Sequence, residues 1–292
     1  MNAALRHDPR PAAEDYAAIE RAAAMVAEAD ALVIAAGAGM GVDSGLPDFR
    51  GNAGFWKAYP ALAAEGTGFM DIATPAAFHA DPRRAWGFYG HRLAMYRRAA
   101  PHAGYELLRK WGERRRYGYF VFTSNVDGHF QKAGFDPLRI DECHGSIHRL
   151  QCLGPCSPGL WPAAGFEPAV DAGRCELLGP LPACPRCGGP ARPNILMFDD
   201  HGWIAERRDL QAMRCRNWLE QVRRPLVIEI GAGLNIPTVR RFSQRVVLRH
   251  GGSLLRINPR EPEVGRLPGV ALAGGALEVL GAIDGLLGAR GG

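Results

Sequence analysis

Ala31-Leu32-Val33-Ile34-Ala35-Ala36 runs directly into Gly37-Ala38-Gly39-Met40-Gly41. Six apolar residues without alternation suit a strand buried on both faces, as in a parallel sheet. The glycines that follow let backbone amides approach a pyrophosphate, which a helix N-terminus can stabilise. The same run and break returns at Tyr119 to Phe122, Leu226 to Ile230 and Leu254 to Ile257, and Ile19, Ala22, Ala23 and Val26 give 12–30 a helical period. Strands so widely spaced, with helical text between them, predict a doubly wound, mostly parallel Rossmann-like α/β sheet. The loop alone is a weak signal. Val42 stands where the third glycine of the common dinucleotide fingerprint falls, so a strand-to-helix turn without ligand reads equally well.

A chain of 292 residues with 47% hydrophobic content has room for a large domain and a smaller module. Segments 12–50, 101–147 and 195–290 read as the large domain. The aromatic, helix-forming stretch 51–100 reads as a helical insertion, and 148–194, rich in Pro, Gly and Cys, as a second, metal-binding one. The net charge of +5 is dispersed apart from Arg114, Arg115 and Arg116, so nucleic acid is not indicated. No run of 18 apolar residues indicates a membrane span. Met1 to Pro11 carries Arg6, Asp8 and Arg10 where a signal peptide needs an apolar stretch, so a cytoplasmic location is expected.

Seven cysteines in such a chain argue for metal binding ahead of disulfides. Cys152-x-x-x-Cys156 and Cys184-x-x-Cys187 form two thiol pairs, and Gly188 and Gly189 give the second pair the turn a metal knuckle needs. Four thiolates make a closed tetrahedral zinc site with no position open to substrate, so the zinc is expected to be structural. Cys175 lies between the pairs and is an alternative ligand. Cys143 and Cys215 read as core thiols.

After the glycine loop comes Ser44-Gly45-Leu46-Pro47-Asp48-Phe49-Arg50-Gly51, an acid, an aromatic ring and a guanidinium in a position to cover a bound cofactor. Here the chain resembles the sirtuins, NAD-dependent protein-lysine deacylases whose first motif is a GAG loop running into PDFRG. The resemblance extends from about Asp30 to about Val279 through five motifs in the family's order. It implies that Gly37, Ala38, Gly39, Asp48, Phe49 and Arg50 bind NAD. In Thr123-Ser124-Asn125-Val126-Asp127 it sets Ser124, Asn125 and Asp127 beside the nicotinamide and its ribose, with Ser124 replacing the usual Gln. His144-Gly145 matches the catalytic HG pair. An imidazole titrating near neutrality can take a proton from a ribose hydroxyl, which makes His144 the general base, with Asn125 and Asp127 also catalytic.

In Pro193 to Asp200 the chain is similar to the strand that ends in Phe-Gly-Glu and pairs with the substrate backbone. This implies a substrate contact at Phe198, with Asp199 and Asp200 as departures. Gly231, Ala232 and Gly233 stand in the GTSL segment and Asn258 at the adenosine ribose, all implied NAD contacts. Acylated lysine in a protein or peptide is the implied substrate. Its carbonyl oxygen attacks the nicotinamide ribose, nicotinamide leaves, and water then releases lysine and O-acyl-ADP-ribose. Competing readings keep the first step but pass ADP-ribose to a protein or to water, or make the chain a non-catalytic NAD sensor, which leaves His144 without a role.

Tyr89 and Arg92 stand three apart, so on a helix they share one face and can converge on one small anion. Arg offers a planar fork to a carboxylate and Tyr a hydroxyl. The segment resembles the sirtuin branch that removes malonyl and succinyl groups, which also carries a small residue where Ala73 stands here. A preference for acidic acyl groups over acetyl is expected.

Overall fold

The computed structural model describes residues 13–48 and 51–289. Eleven strands occur among them: β1 (Ala31–Ala36), β2 (Tyr119–Thr123), β3 (Ile140–Glu142), β4 (Gly145–Cys152), β5 (Trp161–Pro162), β6 (Val170–Asp171), β7 (Glu176–Leu177), β8 (Ala191–Ile195), β9 (Pro225–Ile230), β10 (Ser253–Ile257) and β11 (Gly269–Leu272). The main sheet has the order β11-β10-β9-β1-β2-β3 and is parallel throughout. β1 lies at its centre, with Ile34 paired to Val121 on one side and to Ile228 on the other. All six β1 residues are buried, which is why its sequence carries no alternation.

The chain leaves β1 toward β2 and β3 and later returns to the other flank through β9. The order therefore switches beside β1, where open α/β sheets form a crevice at the strands' C-terminal ends. Apolar clusters fill both faces. On one, Val26, Leu108 and Leu280 pack on Leu32, Ile34 and Ile228. On the other, Val33, Phe122 and Val227 meet Phe242, which stacks on Phe122 at 3.8 Å between centroids. Phe242 belongs to helix Thr238–His250, ended by Gly251 in the left-handed conformation.

A third cluster holds the smaller module together. It joins Phe55, Trp86, Phe88 and Leu93 of the 51–100 stretch to Leu150, Leu153 and Leu177 of 148–194, and also draws in Leu46, Val126, Ile147, Ile195 and Met197. Apolar packing thus runs through the segment boundaries. The Trp86 indole N–H donates to the Ala191 carbonyl at 2.9 Å, tying helix Pro82–Arg98 to β8. That helix starts where Asp81 accepts from the Arg84 amide and Pro82 takes the first position.

β4 and β8 are elements the periodicity does not reveal. They pair antiparallel, with the register shifting between Ser146 and Leu150. All five residues of β8 are buried, including Arg192 and Asn194. A charged residue within a buried strand hides its pattern, and here a partner further along the chain makes that burial possible.

Candidate active site

Three loops leave the C-terminal ends of β1, β2 and β9 and meet. The Gly37 amide donates to the Ile230 carbonyl (2.9 Å) and the Gly39 amide to the Gly231 carbonyl (3.1 Å). A Cβ on Gly39 would lie 2.6 Å from the Gly231 Cα, and one on Gly37 2.7 Å from the Gly231 oxygen. These glycines are therefore required by the contact between the two loops. Thr123 and Asn125 bind the third loop in: the Thr123 hydroxyl donates to the Ala36 carbonyl, and the Asn125 amide group to the Gly37 carbonyl at 3.0 Å.

Beneath the loops opens a cleft of about 880 Å³, within the size range of cofactor sites. Gly37, Ala38 and Asp48 line it from the first loop, Ser124, Asn125 and Asp127 from the second, and Gly231, Ala232 and Gly233 from the third. His144, Ala73, Tyr89, Arg92 and Phe198 are also part of the wall. Two expected contacts stand apart. Gly39 borders a separate cavity of about 160 Å³ on the β10 side of the loop. Asn258 is 1% exposed: its amide donates to the Ala232 carbonyl, and its oxygen accepts from the amides of Arg260 and Glu261. It ties the loop after β9 to the loop after β10 and does not line the cleft. Phe49 and Arg50 lie outside the described residues.

His144 occupies the turn between β3 and β4. Gly145 beside it has φ of 81°, and a Cβ there would sit 2.1 Å from the Asn194 oxygen, so only glycine lets β4 approach β8. The Leu196 amide donates to the His144 carbonyl at 2.9 Å, coupling the histidine turn to the segment after β8. Burial lowers the imidazole pKa below its usual value, while a hydrogen bond to the Ser124 backbone opposes this. His144 is thus mainly neutral at physiological pH, the state a general base requires.

Asp127 is 8% exposed and accepts from the His129 amide at 2.8 Å. Burial pushes its carboxyl up to about 6. His148 holds the Asp127 carbonyl at 2.8 Å, which accounts for it as a loop support. Behind the histidine turn, Glu142 is bonded by Arg207 and Arg208 pairs with Asp141, so helix Glu206–Leu219 braces β3.

Across the cleft, Phe198 donates its amide to the Ala73 carbonyl at 2.9 Å. Tyr89 is 1% exposed and stacks on Phe78, and Arg92 is 8% exposed. Both Arg92 Nε and Nη2 donate to the Tyr96 hydroxyl, at 3.0 and 2.7 Å. No sequence motif marks Tyr96, although its position four after Arg92 places the two on one helical face. Asp200, one of the two departures from the family strand, forms a double hydrogen bond with Arg192. Asp199 takes φ of 52°, the conformation that glycine adopts most easily.

The four paired cysteines converge. Sγ atoms of Cys152 and Cys187 lie 3.7 Å apart, those of Cys156 and Cys184 3.6 Å, and all four fall within 4.8 Å of one another. A tetrahedral ion with bonds of about 2.3 Å to sulfur requires edges of about 3.8 Å, so the set fits such an ion. Backbone amides of Cys187 and Arg186 pull the Cys184 thiol down toward the ligating thiolate. Cys175 is absent from the set and packs its backbone against Gly87, where a Cβ would come within 2.0 Å. Among the described residues no helix is long and apolar enough to cross a membrane.

Residues 37–216 match the model of the Sir2 family. The chain is 30% identical over 265 residues to an NAD-dependent protein deacylase of Thermococcus kodakarensis, covering 89% of this chain and 91% of that one. It is 26% identical to a protein of the same name from Aquifex aeolicus, over 81% and 86%. A crystal structure of a Sir2 homolog–NAD complex superposes with a TM-score of 0.69 at 26% identity, covering 92% of this chain and 94% of the other.

Proposed function

The chain belongs to the Sir2 family, the sirtuins, and from that premise we propose that it is an NAD-dependent protein-lysine deacylase that prefers acidic acyl groups, malonyl or succinyl, to acetyl. The observation that carries the reading is one cleft lined by the three strand-end loops, by a half-buried neutral histidine and by a buried arginine. NAD supplies the electrophilic ribose carbon and a good leaving group, and the overall change turns acyl-lysine, NAD and water into lysine, nicotinamide and O-acyl-ADP-ribose.

The residues divide the work. Gly37, Ala38, Asp48, Ser124, Gly231, Ala232 and Gly233 seat the cofactor, with backbone groups doing most of the binding where Ala232 and Gly233 lack hydroxyls. Asn125 and Asp127 orient the nicotinamide end in a place shielded from water, where electrostatic effects are strong. His144 accepts a proton from the ribose hydroxyl after nicotinamide has left. Phe198 and its neighbours hold the substrate backbone. Ala73 leaves space for an acyl chain longer than acetyl, and Tyr89 and Arg92 face its carboxylate. Cys152, Cys156, Cys184 and Cys187 hold a structural zinc, a use of thiols that suits the reducing cytoplasm.

The test is to incubate the protein with NAD and acetyl- or succinyl-lysine peptides of one sequence, wild type beside Arg92→Met, and to weigh the products. Faster succinyl turnover that Arg92→Met abolishes supports the reading. A wild type that prefers acetyl-lysine removes the acidic preference and leaves a deacetylase. ADP-ribosylated protein or free ADP-ribose as the main product favours the second reading, transfer of ADP-ribose to protein or water. Asp199 at a left-handed glycine position on the substrate side is the observation that keeps it open.

A further inference from the structure

We infer that Tyr96 is a specificity-determining residue that acts with Arg92 on the anionic end of the acyl group, an inference that rests on the acidic-acyl reading above. The two residues stand one helical turn apart in Pro82–Arg98, so the helix itself sets their meeting. Arg92 directs the Nε–H and an Nη2–H of its guanidinium at one oxygen, the Tyr96 hydroxyl. The guanidinium carbon lies 5.2 Å from the Phe88 ring centroid and 5.4 Å from that of Tyr96. Packed this way, the cation is held in one orientation before any ligand arrives.

A phenol has one donor and accepts through its oxygen. When the oxygen accepts two hydrogen bonds from a cation, its own O–H is polarised and donates more strongly. Tyr96 is 5% exposed and lines the cleft together with Arg92 and Tyr89. Burial pushes the Tyr96 phenol up, Arg92 draws it down, and Asp127 is near enough to add to the rise. An acyl carboxylate entering this corner brings a second negative charge close to Asp127. The phenol supplies a hydrogen bond to that carboxylate without adding a charge of its own, and holds the Arg92 guanidinium in place beside it. An acetyl group has no carboxylate and gains nothing from either effect.

The test measures kcat and KM of the full chain on succinyl- and acetyl-lysine peptides of one sequence, for wild type, Arg92→Met, Tyr96→Phe and Tyr96→Gln. A lost hydrogen bond to a charged group corresponds to a change of about tenfold or more. Tyr96→Phe is expected to raise the succinyl KM by that factor, to change kcat little, and to lower the succinyl-to-acetyl ratio of kcat/KM. Tyr96→Gln, which restores a donor, recovers part of the ratio. A succinyl KM that is unchanged or lower in Tyr96→Phe, or a KM that rises equally for both peptides, overturns the inference. If wild type and Arg92→Met behave as expected while Tyr96→Phe is inert, the Tyr96 role alone falls. If Arg92→Met is also inert, the acidic-acyl reading falls with it.

Discussion

Arg192 and Asp200, eight residues apart, meet through two hydrogen bonds of 2.7 Å, and both side chains are wholly buried. The pair closes the turn after β8, because Asp200 also accepts from the amides of Met197 and Gly202. The segment carrying Phe198 is thereby fixed against the cleft. Removing one partner strands a buried charge, which costs about 3–5 kcal/mol. Asp200→Ala should lower the urea-unfolding free energy by that amount, and pairing Arg192→Met with Asp200→Leu should recover much of it. A single change costing under about 1 kcal/mol, the size of an exposed pair, would remove the anchor role.

Gly145→Ala should damage both stability and turnover. The substitution meets the Asn194 oxygen at 2.1 Å and asks alanine to hold φ of 81°, a strain of at least about 1–3 kcal/mol. β4 must then move off β8 and take the His144 turn with it. Thermal melting and the deacylation rate of the variant check both effects; a variant that melts and turns over like wild type refutes the steric argument.

His144→Ala should abolish acyl removal while NAD binding persists, since the base acts after the cofactor is seated. Calorimetric NAD titration beside a rate assay separates the two. The pH profile follows from the sign of the shift. Burial lowers the pKa, so the neutral, active imidazole survives to lower pH than an ordinary histidine, and the acidic limb of kcat/KM should fall below the usual value near 6.5. A limb above it would contradict the buried environment.

Freshly purified protein should carry a single zinc ion per chain, and Cys184→Ala should lose it together with the folding of the smaller module. Metal analysis and circular dichroism before and after chelation provide the measurement. Full activity and an unchanged melting curve in metal-free protein would exclude a structural role.

The parallel sheet, the glycine loop and the paired cysteines were legible in the chain because each is a local signal. β1 announces itself by six apolar residues that both neighbouring strands bury, and each cysteine pair by its own spacing. The motif set around His144 carried the family for the same reason. Other features depend on residues far apart in sequence. Arg192 looks like a surface residue until Asp200 is brought to it, so β8 showed no strand pattern. The bonds that Asn258 makes to Ala232, Arg260 and Glu261 join two loops that no linear pattern relates. Gly37 and Gly39 suit a phosphate cradle or a bare strand-to-helix turn equally in sequence, whereas the approach of Gly231 demands them. Tyr96 had the right helical spacing, but nothing in a linear pattern tells that Arg92 turns toward it. Sequence by itself determined four of the six strands of the central sheet, β1, β2, β9 and β10, together with the thiol pairs and the motifs. Tertiary structure decided which side chains face the cleft and which are spent on one another, because burial and hydrogen bonding are settled by partners that only folding brings together.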